Sequence, residues 1–156
     1  MIRLVETRDA QRLSELLYQV HAIHADLRPD LFVPGEKKFS DQEIIERIED
    51  KEHPIFVYED EAGLVQGYVF CNYIETKDKP NLVARKELFI DDLCVDASQR
   101  GKGVGELLYR HVVKIAKENG CKSVTLHVWS DNAGAVRFYE RLGMQAQYVQ
   151  MEQVLE

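Results

Sequence analysis

Asp91 and Asp92 are adjacent carboxylates on an apolar run. Past it the chain turns through Arg100, Gly101, Lys102, Gly103, Val104 and Gly105 into an amphipathic stretch. A carboxylate so placed can take a proton from a nucleophile. The turn suits a phosphate. Its glycines let the main chain approach closely, Arg100 and Lys102 supply charge, and a helix opening beyond it aims free N–H groups and the positive end of its dipole at one point. The stretch reads as a phosphate cradle beside a reaction centre. Spacing excludes two common phosphate motifs. No Gly-x-x-x-x-Gly-Lys-Ser/Thr string exists, and Glu106 and Leu108 stand where the third glycine of a dinucleotide fingerprint would fall.

What does match is Gln/Arg-x-x-Gly-x-Gly/Ala, present as Arg100, Gly103 and Gly105. A second block follows at Asn132, Ala135, Phe138, Tyr139, Gly143 and Met144, in the pattern N-x-x-A-x-x-F-Y-x-x-x-G-M. On these two blocks the chain resembles the GNAT superfamily of acyl-CoA-dependent N-acetyltransferases, closely over residues 87–144 and in outline over the N-terminal third. The resemblance implies acetyl-CoA as co-substrate. It assigns CoA binding to Leu93, Cys94 and Val95 on the strand, to Arg100, Gly101, Lys102, Gly103, Val104 and Gly105 in the turn, and to Asn132 and Tyr139 beyond. It further implies direct acetyl transfer to a primary amine of a small molecule or peptide, with no covalent intermediate and no metal. In that scheme Asp91 or Asp92 deprotonates the amine, directly or through water, and Tyr139 protonates the departing thiolate.

The chemistry needs such a base. An alkyl ammonium with a pKa of ~10.4 is neutral in about one molecule in 2,500 at pH 7, a penalty of roughly 4.6 kcal/mol for attack. Adjacent residues of a regular strand face opposite sides, so only one of the two aspartates serves. Asp91 is the better candidate because it shares a face with Phe89, Leu93 and Val95, unless a β-bulge redirects the pair. Plainer readings stand beside these. Each aspartate fits a solvent-facing or capping carboxylate, Tyr139 and Phe138 fit the apolar face of a helix, and Asn132 fits a helix cap. His21 and His24 lie three apart on a helix, but no further ligands complete a metal site, which leaves structural or acceptor-pocket roles. His111 suits the C-terminal half of its helix, and His127 one face of a strand. Trp129, Tyr68 and Tyr73 read as sheet packing or, for some, acceptor-pocket lining, and residues 36–38 as a solvated loop or a lid.

The elements that must hold these groups follow from periodicity. A strand over residues 2–6 precedes a helix capped by Thr7 or Asp9 and running to about Leu27, ahead of Pro29. Ser40 and Glu43 form a capping box for a second helix ending near Lys51. Strands at 54–58 and 64–74 flank a turn at Gly63, and a third strand covers 87–95. A helix from Val104 ends at Gly120, a strand covers 124–128, a helix capped by Asp131 or Asn132 ends at Gly143, and the alternating segment 144–155 makes a final strand. The expected fold is α/β of α+β type, a mixed and mostly antiparallel sheet flanked by helices. The GNAT resemblance adds two splayed parallel strands that admit CoA.

Composition bounds the rest. The 156 residues fit one domain, with 45% hydrophobic and 30% charged residues. No apolar run is long enough to span a bilayer, and the first residues lack a signal-peptide core, so a cytoplasmic address is expected. The net charge of −7 disfavours broad nucleic-acid binding and tolerates a cationic acceptor. Cys71, Cys94 and Cys121 read as buried free thiols. Homodimers are common among GNAT relatives. The reading from another class is an acyl-CoA-binding sensor or interaction module without turnover. A pure binder would need neither Tyr139 nor the aspartate pair.

Overall fold

The structure, a computed structural model, describes residues 1–156. Five strands form one sheet in sequence order: β1 (Ile2–Leu4), β2 (Ile55–Glu59), β3 (Val65–Thr76), β4 (Arg85–Val95) and β5 (Ser123–Leu126). The first four pair antiparallel, and β4 pairs β5 in parallel. Four helices flank the sheet: α1 (Ala10–Leu27), α2 (Asp41–Arg47), α3 (Val104–Glu118) and α4 (Ala133–Arg141). This is the mixed, mostly antiparallel arrangement expected from the periodicity.

Each sheet face has its own core. Leu13, Leu16 and Leu17 of α1 and Ile44 of α2 pack with Val57, Tyr68, Phe70 and Cys94 on one side. Val104, Leu108, Val112 and Ala116 of α3 pack with Val69, Cys71, Leu88 and Ile90 on the other, where Tyr139 and Leu142 also lean in. The alternation of β3 feeds both layers, as a strand covered on two faces must. Gly67 lets α3 approach the sheet closely. A Cβ there would lie 3.0 Å from the Cys94 carbonyl and within 3.2 Å of Leu108 and Val104.

The local signals form largely as expected. Ser40 Oγ accepts from the Glu43 amide at 3.1 Å, and the Glu43 carboxylate accepts from the Ser40 amide at 3.3 Å. Gly63 and Gly120 take the positive φ their turns require. Four details differ. Residues 7–9 form a short 3-10 turn in which the Asp9 carboxylate accepts from the Glu6 amide and pairs with Arg3. Helix α2 stops at Arg47, short of Lys51, and β5 stops at Leu126, short of Val128. Residues 145–156 join no strand ladder, so the expected final strand is missing from the isolated chain. No helix is long and apolar enough to cross a membrane.

Gly67→Ala should destabilise the fold by about 1–3 kcal/mol, because the new methyl meets backbone and branched side chains on both sides. Thermal unfolding measures it, and an unchanged midpoint would contradict the close approach of β3 and α3.

Candidate active site

The site grows from one irregularity in β4. Opposite β3 the register runs Phe70 to Asp92 and then Cys71 to Ile90, so Asp91 has no partner of its own. Two residues oppose one, which is a β-bulge. Beyond it the side-chain alternation is reset. Leu88 and Ile90 face the α3 layer, and so do Leu93 and Val95, while Asp92 and Cys94 face the α1–α2 layer. Asp91 points there too, since its partners are Lys38 ahead of α2, Arg47 at the end of α2, and Asn72. Both aspartates therefore lie on one face, and Asp91 does not share a side with Leu93 and Val95.

The two carboxylates sit in opposite environments. Asp91 Oδ1 accepts from Lys38 Nζ at 2.8 Å, and Oδ2 accepts from Arg47 Nη1 at 3.3 Å. Arg47 itself packs against the stacked rings of Phe39 and Phe70 and bonds the Asn72 side chain. Burial pulls the Asp91 carboxyl upward, but Lys38 and Arg47 outweigh it and hold the group below its usual range. Asp92 is 9% exposed and accepts from the Tyr68 hydroxyl at 2.9 Å. Burial dominates there, with some repulsion from Asp91, and pushes its pKa to about 6 despite the pull of Lys38 and Tyr68. Tyr68 is thus more than sheet packing, and the exposed loop at residues 36–38 is also tied to the sheet and to α1 by its lysines. Lys37 reaches Ser14 and Asp41, and Lys38 ties down Asp91.

Downstream the strand leads into the glycine turn through Asp96. Its carboxylate accepts from the Ser98 amide and hydroxyl and from Arg12 and Gln19 of α1. This clamp ties the end of β4 to the first helix and depresses the Asp96 pKa, chiefly through the Ser98 bonds. Gly101 and Gly103 then adopt φ of 79° and 81°, with Gly103 as the N-cap of α3. The amides of residues 101–106 find no backbone acceptor within the chain, and they lead into the first turn of α3. Gly105 has another purpose. A Cβ there would lie 3.2 Å from the Phe138 ring, so its absence lets α4 pack against α3.

A gap opens beside this cradle. The β4–β5 ladder stops at Ile90 and Leu126, leaving residues 91–95 without a partner on that side. Leu93, Cys94 and Val95 line the unpaired length; the Cys94 thiol is held on the Leu16 carbonyl, and burial lifts its pKa to about 12. Across the gap stands α4, capped by Asn132 Oδ1 accepting from the Ala135 amide at 3.2 Å. Tyr139 leans from α4 toward Tyr109 and Phe138, and its hydroxyl makes no hydrogen bond. Burial first, and then the charge of Asp92, raises its pKa. Asp92, the unpaired end of β4 and the glycine turn thus follow one another along the chain, and Tyr139 of α4 lies near enough to Asp92 to feel its charge.

The remaining sequence candidates sit elsewhere. His21 Nε2 meets the Val33 carbonyl at 2.8 Å, and both His21 and His24 pack on Phe32. His111 packs edge-on against Phe56, and His127 against Phe89. Trp129 is 38% exposed and contacts Phe32 and Arg28. Cys71 and Cys94 are buried thiols, while Cys121 is half-buried. Sequence reasoning missed Lys38, Arg47, Asn72, Arg12 and Asp96. Only Asp96 had a local signal, an aspartate two residues before a serine at the end of a strand.

The acetyltransferase (GNAT) family model matches residues 20–144. A tetramutant of the Bacillus halodurans BH1408 protein is 30% identical, with a TM-score of 0.95 over 99% of both chains. An uncharacterized N-acetyltransferase of Methanocaldococcus jannaschii is 35% identical over 51% of this chain and 33% of its own length. The streptothricin acetyltransferase of Streptomyces lavendulae is 32% identical over 61% of this chain and 46% of its own. The chain thus spans between a third and a half of the length of these two curated relatives. With the matching fold, the family model over most of its length shows that the chain belongs to the GNAT acetyltransferase family.

Proposed function

We propose that the chain transfers acetyl from acetyl-CoA directly to a primary amine, with Asp92 as the base and Tyr139 as the acid. The observation that carries this reading is a buried carboxylate, Asp92, whose pKa is raised to about 6, near an unbonded phenol, Tyr139, beside the point where the β4–β5 ladder ends. The amides of residues 101–106, with Arg100 and Lys102, would hold the pyrophosphate. Leu93, Cys94, Val95 and Asn132 would line the pantetheine arm, whose amides can complete the unpaired edge of β4 as a strand would.

In this mechanism the amine enters from the α1–α2 side and loses a proton to Asp92, directly or through one water. A base with a pKa near 6 is better matched to neutral pH than an exposed carboxylate. The amine lone pair forms the C–N bond, and main-chain donors at the end of β4 stabilise the tetrahedral oxyanion. The C–S bond then breaks, and the phenol proton of Tyr139 passes to the thiolate. Burial and the Asp92 charge raise its pKa, so the phenol is protonated when the thiolate forms, and the transfer depends on direct contact with the sulfur. Asp91, neutralised by Lys38 and Arg47, positions the rim of the acceptor pocket. The acceptor class is a small cationic or peptide amine, in line with the acidic chain.

Following thiol release from acetyl-CoA across a panel of amines tests the reading. Turnover with at least one amine is expected, and binding without release for any of them would favour an acyl-CoA-binding module. Asp92→Asn should lower kcat/KM about 10²-fold and abolish the rise through pH 6, whereas Asp91→Asn should keep that limb. Full activity in Asp92→Asn would remove it as base. Tyr139→Phe should slow turnover with little change in acetyl-CoA affinity.

Asp92 also makes a stability prediction. Burial raises its pKa above the unfolded value, so the folded chain holds that proton more tightly than the unfolded one. Its contribution favours folding below about pH 4 and is lost as pH rises through 6. Asparagine keeps the Tyr68 bond without the charge, so Asp92→Asn should be more stable than the parent at pH 7.5, by up to roughly 3 kcal/mol. The advantage should vanish at pH 4. A difference independent of pH would contradict the buried charge.

A further inference from the structure

Tyr68 is the largest fully buried side chain of the molecule, and it ends in a hydroxyl. A phenol taken out of water needs an acceptor. It finds one in Asp92, donating to Oδ2 at 2.9 Å. The ladder explains the reach. Tyr68 on β3 stands opposite Cys94 on β4, and Phe70 stands opposite Asp92, so the ring meets the carboxylate along the diagonal. Packing then fixes the ring. Phe70 meets it edge-on at 5.0 Å, and Leu13, Leu16 and Leu17 of α1 belong to the same core layer. The Cys94 thiol beside it donates to the Leu16 carbonyl at 3.5 Å.

The two oxygens of Asp92 are thereby unequal. The phenol holds Oδ2, and no side chain bonds Oδ1. Asp91 has no such vacancy, since Lys38 occupies its Oδ1 while Arg47 and Asn72 occupy its Oδ2. We propose that Tyr68 is the positioning residue for Asp92: its phenol holds Oδ2, sets the rotation of the carboxylate and leaves Oδ1 to take the proton of the acceptor amine. The role rests on Asp92 being the base. Tyr68 keeps its own proton throughout, because burial, and then the charge of Asp92, lifts its pKa well above the usual phenol range. It is an anchor, and no proton passes through it. A donor of this kind bonds the ionised carboxylate more strongly than the neutral one, so it pulls the Asp92 pKa down against the burial that raises it. Lys38 ahead of α2 pulls the same way and Asp91 the opposite way. Arg47 bonds Asp91, Cys94 and Tyr139 are a thiol and a phenol with raised pKa values, and the α1 side chains of this layer are apolar.

Tyr68→Phe keeps the ring and removes the donor, and pH profiles of acetyl transfer read the result. The circular dichroism and the KM for acetyl-CoA should stay those of the parent. The acidic limb should move up by about one pH unit, so that kcat/KM below the limb falls about tenfold. On the plateau above it, kcat should fall about threefold, because the carboxylate is free to rotate. In the Asp92→Asn background the same change should cost about twofold at most, since residues that act as a unit do not add. Placing 3-fluorotyrosine at position 68 keeps the bond with a more acidic donor and should move the limb down. A limb that Asp92→Asn abolishes but Tyr68→Phe leaves in place overturns the positioning role alone, as does an undiminished effect of Tyr68→Phe in the Asp92→Asn background. A limb that survives Asp92→Asn overturns the base assignment, and the positioning role with it. A merely structural Tyr68 would lower the unfolding midpoint and leave the limb where it is.

Discussion

The extra residue at Asp91 is the constraint on which the site depends. One added residue resets the pleat, so that Asp92 and Cys94 turn toward the α1–α2 layer where Ile90 before them faces α3. The same reset brings two neighbouring carboxylates to one side of a strand, which a regular pleat forbids. It also coincides with the end of the β4–β5 ladder at Ile90 and Leu126. Distortion, buried carboxylate and open strand edge are therefore one local event, set where the sheet stops being regular.

Two like charges so close cannot both be left to themselves in a partly dry site. The structure divides them. Asp91 receives two cations from separate elements, Lys38 from the loop before α2 and Arg47 from the end of that helix. Asp92 receives only a neutral phenol, Tyr68, and stays close to the point where it can gain or lose a proton. The ion-paired group is held ionised and the buried one is pushed toward its neutral form, so the two pKa values move apart. The Asp96 clamp to Arg12 and Gln19 then holds the far end of β4, so the glycine turn starts from a fixed point.

Much of this was legible in the residue order, because the relevant signals are local. The glycine turn, its helix, the Ser40–Glu43 box and the Asn132 cap each depend on residues within a turn of one another. The hairpin at Gly63 and the mixed sheet follow from periodicity in the same way. The bulge was not legible, since it exists only in the pairing of Phe70 and Cys71 with β4. Nor were Lys38 and Arg47 as partners of Asp91, which lie 53 and 44 residues away. The alternation of residues 144–155 suggested a final strand, yet the segment joins no ladder. A pattern fixes what a segment can pair as, and the partner is a separate fact.

The most direct measurement is a crystal structure of the chain with CoA bound. The account predicts the pyrophosphate on the amides of residues 101–106. It also predicts the pantetheine arm along residues 93–95 and the sulfur within hydrogen-bonding reach of the Tyr139 hydroxyl. A CoA molecule seated away from the β4–β5 opening, or one whose sulfur points away from both Tyr139 and Asp92, would contradict it.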